Sequence, residues 1–209
     1  MKAFIYVGGK IDPDFITEHP KGDDITVAAD SGIRNALLLG DHIDVAVGDF
    51  DSFPERDLPE DAEIVRLRPE KDLTDSQVAV EIALEKGADS FVIIGGLSGR
   101  LDHTLANLSI LEDLTARGHY AIMTDGVSRV HYINGGSALI GRSGFKYFSL
   151  IAATDIAKGV SIEGAKYPLK NARLSRKNGG FATSNEIDGN CALISVKKGA
   201  LFIIESRDT

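Results

Sequence analysis

The feature that most constrains this chain is a change of rhythm near residue 125. Before it, short β-rich runs alternate with helical patterns: residues 3–7 (AFIYV), 25–29 (ITVAA), 44–47 (DVAV), 63–67 (EIVRL), 91–95 (FVIIG) and 120–124 (YAIMT) read as strands. Parallel neighbours can be reached only by a crossover, usually a helix, so this alternation predicts a mostly parallel sheet flanked by helices. The clearest helix is TDSQVAVEIALEKG (74–87), with Thr74 and Gln77 at capping-box spacing and Gly87 as the stop. A second, ending at Gly118, stripes Leu101, Leu105, Leu108 and Leu111 along one expected core face.

Beyond residue 125 the helical period disappears. RVHYI (129–133), KYFSLIAA (146–153), CALISV (191–196) and ALFIIES (200–206) are short alternating or apolar runs punctuated by Gly, Asn and Asp. They predict a smaller all-β domain, a sandwich or partial barrel. The expected organisation is therefore an α/β domain over residues 1–125 followed by a β-rich domain over 126–209.

Composition narrows the function classes. A net charge of −8 disfavours a generic nucleic-acid binder, which needs clustered Lys and Arg to displace counterions. No apolar stretch reaches membrane-spanning length, and AFIYV is too short for a secretory core. A lone cysteine, Cys191, excludes an intrachain disulfide, and the expected location is cytoplasmic.

Ligands of open α/β sheets bind beyond the carboxyl ends of the strands. Four expected strand exits carry polar motifs: AADSG with Asp30, GDFDS with Asp49 and Asp51, PEKDLTDS with Asp72, Thr74 and Asp75, and GGLSGRLDH with Arg100, Asp102 and His103. Each has a plain reading: a turn for Asp-x-Asp, a helix cap for Asp72, Thr74 and Asp75, a surface ion pair for Arg100 and Asp102. Those readings have to be invoked separately at every exit. A single alternative joins them, because gathered carboxylates repel unless a cation lies between them. Magnesium takes hard oxygen ligands together with substrate phosphates. Gly95, Gly96 and Gly99 let backbone approach such a substrate, the following helix offers unpaired N–H groups to an anion, and Arg100 can fork onto phosphate oxygens. The Gly-Lys-Ser/Thr ending of a Walker A loop is missing.

AADSG, GDFDS, EKDLTDS and GGLSGRLDH, in this order and spacing, followed by GAKYPL and TSNE, resemble the thiamine pyrophosphokinase family over nearly the whole chain. The resemblance implies transfer of the terminal diphosphate of ATP to the hydroxyl of thiamine, in a homodimer with active sites between subunits. It assigns magnesium to Asp49, Asp51 and Asp72, and catalysis to these three with Arg100. It gives the nucleotide and diphosphate to Asp30, Thr74, Asp75, Gly96, Gly99, Arg100, Asp102 and His103. Thiamine falls to Ser184 and Asn185, with Tyr167 where many relatives place a Trp; this chain has none. Two other readings are a phosphohydrolase using Asp49 and Asp51 and a non-enzymatic thiamine or nucleotide sensor.

Overall fold

The six apolar runs of the first half become β1 (Lys2–Tyr6), β2 (Ile25–Ala29), β3 (Val45–Gly48), β4 (Glu63–Arg66), β5 (Ser90–Ile94) and β6 (Tyr120–Thr124) in a computed structural model, which describes residues 1–51, 53, 58–68 and 72–208. Every pairing among these strands is parallel, in the order β6-β5-β1-β2-β3-β4. The chain builds outward from β1 to β4, then returns to set β5 on the other side of β1. Strand order thus reverses between β1 and β5, the place where open α/β sheets bind ligands. Strand β2 is buried along its whole length, as expected of a parallel strand covered on both faces.

Among the described residues, three α-helices cover this sheet: α1 (Gly32–Leu39), α2 (Asp75–Glu85) and α3 (Leu101–Ala116). Phe4, Tyr6, Ile33, Ile43, Val92 and Ile94 form part of one core cluster. Helix α2 carries the expected capping box: Gln77 N–H donates to Thr74 Oγ1 at 3.3 Å, and Thr74 N–H donates to Gln77 Oε1 at 2.9 Å. The leucine stripe of α3 is corrected. Leu101 and Leu105 are 71% and 59% exposed, while the buried face runs through Asn107, Ile110, Leu111 and Leu114. Ile110, Leu111 and Leu114 pack inward at the spacing of one helical face, and Asn107 on that same face donates to the Gly96 backbone carbonyl.

The chain divides into two compact units, residues 1–126 and 127–209. The second contains β7 (Ser128–Gly141), β8 (Tyr147–Ala152), β9 (Ile156–Glu163), β10 (Leu169–Ser175) and β11 (Cys191–Ser206). All these pairings are antiparallel. CALISV and ALFIIES are the two halves of the single strand β11, joined through an irregularity between Val196 and Ala200 at which Gly199 has φ +89°. One edge of β11 pairs with β7 throughout; the other pairs first with β9 and then with β8. Phe148, Leu150, Ile162, Ile194, Leu201 and Ile203 fill the enclosed core.

That unit also buries a carboxylate. Glu205 is 2% exposed, takes two bonds from Arg129 (Nε 2.8 Å, Nη2 3.1 Å) and lies 2.8 Å from His131 Nε2. Burial alone would push its carboxyl up, but the hydrogen bonds from His131 and Arg129 outweigh burial and hold it below the usual glutamate range. No described helix is long and apolar enough to cross a membrane.

Candidate active site

The loops beyond β1, β2 and β5 and the first turns of α2 and α3 enclose a cleft of about 490 Å³. Its floor comes from Gly8 and Gly9 after β1 and from Gly96, Ser98 and Gly99 after β5. Asp30 and Ser31 line it from the β2 exit, Thr74, Asp75 and Ser76 from α2, and Arg100, His103, Ala106 and Asn107 from α3. Glycine makes the close approach possible: a Cβ on Gly32 would lie 2.2 Å from the Tyr6 carbonyl oxygen, so α1 starts directly against the end of β1. Ser31, Ser76, Ser98 and Asn107 were not singled out from the sequence. Ser31, Ser76 and Ser98 sit inside the motifs AADSG, PEKDLTDS and GGLSGRLDH, where the charged neighbours drew the assignment; Asn107 lies outside them, and only the converging loops identify it.

An acid group stands at the edge of the cleft. One carboxylate oxygen from each of Asp30, Asp49 and Asp51 lies within 4.8 Å of the others. The backbone draws them together: Asp30 N–H donates to the Val47 carbonyl at 2.8 Å, while Asp51 N–H donates to Asp49 Oδ1 at 3.2 Å. Asp30 and Phe50 hold the left-handed conformation, at φ 44° and 59°. Asp30 also lines the cleft, and so belongs to both features. Exposed Asp72, which the resemblance groups with Asp49 and Asp51, stands outside this trio; Asp30, assigned to the nucleotide, stands inside it. Of the two motifs concerned, Ser52 and residues 69–71 lie outside the described residues.

Hard oxygen donors at this spacing fit a divalent cation such as magnesium. Arg100, another lining residue, donates through Nη2 to Asp102 Oδ2 at 2.6 Å and through Nε to Asp102 Oδ1 at 3.2 Å. That guanidinium bond, aided by the His103 N–H at 3.0 Å, holds the Asp102 carboxyl below the usual range. Both side chains of the pair are largely exposed, so the guanidinium can exchange this partner for an anion at little cost.

The residues expected to meet thiamine gather in the second unit, where a pocket of about 100 Å³ is lined by Ile162, Tyr167, Leu169, Phe181, Ala182, Thr183 and Asn185. Ser184 is not among its lining residues; its N–H donates to Ser149 Oγ at 3.0 Å. Asn185 is 4% exposed and its carboxamide is engaged by backbone: Oδ1 accepts from Tyr167 N–H (3.0 Å) and Glu186 N–H (2.9 Å), and Nδ2 donates to the Tyr167 carbonyl (2.8 Å). Asn185 therefore fixes the Tyr167 segment. Tyr167 is 58% exposed, with Lys166 Nζ 5.7 Å from its ring centroid. Phe181, a lining residue that sequence reasoning missed, is an exposed aromatic following a glycine pair, a signal available in GGFATSNE.

Comparison with known proteins agrees with both halves. Residues 18–123 match the family model described as thiamin pyrophosphokinase, catalytic domain, and residues 138–201 match thiamin pyrophosphokinase, vitamin B1 binding domain. The chain is 29% identical to a thiamine pyrophosphokinase of Bacillus subtilis over 219 aligned residues, covering all of both chains. It is 27% identical to thiamin pyrophosphokinase 1 of Caenorhabditis elegans, over 86% of this chain and 78% of that one. A crystal structure of the Bacillus subtilis thiamine pyrophosphokinase superposes over the full length of both chains with a TM-score of 0.88 at 26% identity. The matches give no support to the phosphohydrolase or sensor readings.

Proposed function

The chain belongs to the thiamin pyrophosphokinase family, and from that premise we propose that it transfers the diphosphate of ATP to the hydroxyl of thiamine, with AMP as the second product. The observation that carries the site assignment is the double membership of Asp30, in the cleft lining and in the acid group. The phosphates of ATP occupy the cleft along the Gly8–Gly9 and Gly96–Gly99 turns. Asp30, Asp49 and Asp51 are the residues to hold magnesium, with exposed Asp72 nearer the α2 cap. When bound, the ion supplies positive charge to the phosphate oxygens.

The hydroxyl oxygen of thiamine forms a bond to the β-phosphorus as the bond from that phosphorus to the oxygen of AMP breaks. Alignment and electrostatics carry most of the rate in such transfers. Arg100 leaves Asp102 to meet the transferred group, and Thr74, Asp75 and His103 border the nucleotide. The hydroxyl proton passes to an aspartate of the acid group. In the second unit Tyr167 and Phe181 offer aromatic faces to the cationic ring of thiamine, an attraction of about 0.5–2 kcal/mol according to desolvation. Asn185 acts by holding Tyr167, and Ser184 borders the same turn.

The active molecule is a cytoplasmic homodimer with its sites at the subunit interface, a reading supported by family resemblance. A single-chain mass in sedimentation would reject the dimer. The decisive experiment incubates the protein with ATP, magnesium and thiamine and identifies products by mass. Thiamine diphosphate and AMP in equal amounts are expected; ATP consumed to ADP, or no thiamine diphosphate, overturns the assignment.

A further inference from the structure

Two buried asparagines outside the expected catalytic set grip the glycine turns of the cleft, Asn35 from outside its lining and Asn107 from within it. Asn35, on α1 and 7% exposed, donates through Nδ2 to the Val7 carbonyl at 2.8 Å and the Gly9 carbonyl at 3.0 Å. Asn107, on α3 and 9% exposed, donates through Nδ2 to the Gly96 carbonyl at 3.2 Å. The turns are also tied to each other, because Gly96 N–H donates to the Gly8 carbonyl at 2.9 Å and Ser98 Oγ to the Lys10 carbonyl at 3.0 Å. The carbonyls of Val7, Gly8, Gly9, Lys10 and Gly96 are therefore all taken by donors of the protein itself.

This matters for a wall that receives phosphates. A carbonyl oxygen turned into the cleft would present negative charge to an anion, whereas backbone N–H groups attract it. A protein donor bound to each carbonyl offsets that negative end and fixes the direction in which it points. The glycines make room for the clamp: a Cβ on Gly95 would come within 3.1 Å of Asn35 Nδ2, and one on Gly96 within 2.8 Å of Asn107 Nδ2. Glycine on the turn and asparagine on the helix are two parts of one arrangement.

We infer that Asn35 and Asn107 are positioning residues for the nucleotide phosphates, setting the affinity for magnesium-ATP through the two glycine turns. The inference rests on the reading of this cleft as the ATP site. A neutral side chain of the same branching tests it without adding charge: Asn35→Leu and Asn107→Leu remove the donors, at the cost of a larger side chain. Titration calorimetry on the purified full chain measures magnesium-ATP without thiamine, and thiamine separately. Each variant is expected to bind magnesium-ATP at least 10-fold more weakly while its thiamine affinity stays within twofold of wild type.

A purely structural role would lower the melting temperature and leave the nucleotide affinity of the folded protein unchanged. Magnesium-ATP affinity within twofold of wild type, in variants that still bind thiamine, therefore overturns the inference. If the leucine variants do not fold, Asn35→Ser and Asn107→Ser, which keep a donor but shorten its reach, are judged by the same thresholds. Wild-type protein that fails to bind magnesium-ATP refutes the reading of the cleft and the clamp with it; wild-type binding unaltered in the variants refutes the clamp alone.

Discussion

Replacing Asp49 by Asn separates the cost of the acid group from its use. Oxygens of Asp30, Asp49 and Asp51 lie within 4.8 Å of one another, so Asp49 has two like-charged neighbours. Two unit charges at that distance repel by about 3 kcal/mol at an effective dielectric near 20 and by about 1 kcal/mol in water. Asp51 is exposed, which places the relief toward the lower part of that range for each of the two neighbours, about 2 kcal/mol in all. The asparagine keeps an Oδ1 that accepts the Asp51 N–H, so the turn survives the change. Metal-free Asp49→Asn is thus expected to be more stable than wild type in urea denaturation at low salt, and to lose at least about 100-fold in turnover. Magnesium should raise the melting temperature of wild type and do so much less for the variant, since a ligand stabilises only the state that binds it. A variant no more stable than wild type without metal, or an equal magnesium shift in both proteins, would refute the shared-cation reasoning.

Asn185→Ala removes three hydrogen bonds around Tyr167 and Glu186, each worth about 0.5–1.5 kcal/mol net, and should raise the KM for thiamine with little change in that for ATP; a change confined to ATP would contradict the placement of thiamine. Glu205 has its carboxyl held below the unfolded value, so its contribution is fully present above the unfolded glutamate pKa, about 4.5, and is lost as pH falls through the folded value. Denaturation midpoints should therefore drop below that pH in wild type, and the drop should be shallower in Glu205→Gln. Gly32→Ala drives a methyl into the Tyr6 carbonyl and should abolish soluble expression or cost several kcal/mol; a variant within about 1 kcal/mol of wild type would show that the α1 start can shift.

Much of the architecture was legible because it follows from periodicity. The parallel strands are near-continuous apolar runs, and Thr74 with Gln77 marks the start of α2 by a local hydrogen-bond exchange that needs no tertiary partner. The face of α3 was not legible. The stripe through Leu101 and Leu105 shares Leu111 with the face that is in fact buried, Asn107, Ile110, Leu111 and Leu114; polar Asn107 masks that second face in the sequence, and it is buried because it donates to the Gly96 carbonyl. Strands β9 and β10 gave no distinct signal either: their inward residues alternate with charged and small ones over irregular pairing. Continuity across β11 was hidden by Lys197, Lys198 and Gly199, which separate the two apolar runs in sequence but form only an irregularity within one strand.

For the site, the amino-acid sequence by itself determined which acids lie at strand exits, since a strand delivers the residue after it to the sheet's carboxyl edge whatever the rest of the fold does. It also determined the glycine turns and the order of motifs that marks the family. Only the tertiary structure decided the groupings: that Asp30 joins Asp49 and Asp51, that Asn185 is consumed by the Tyr167 backbone, and that Asn35 and Asn107 hold the cleft wall. These are distances between segments far apart in sequence. They depend on strand order and on where each helix packs, and no local pattern of residues encodes them.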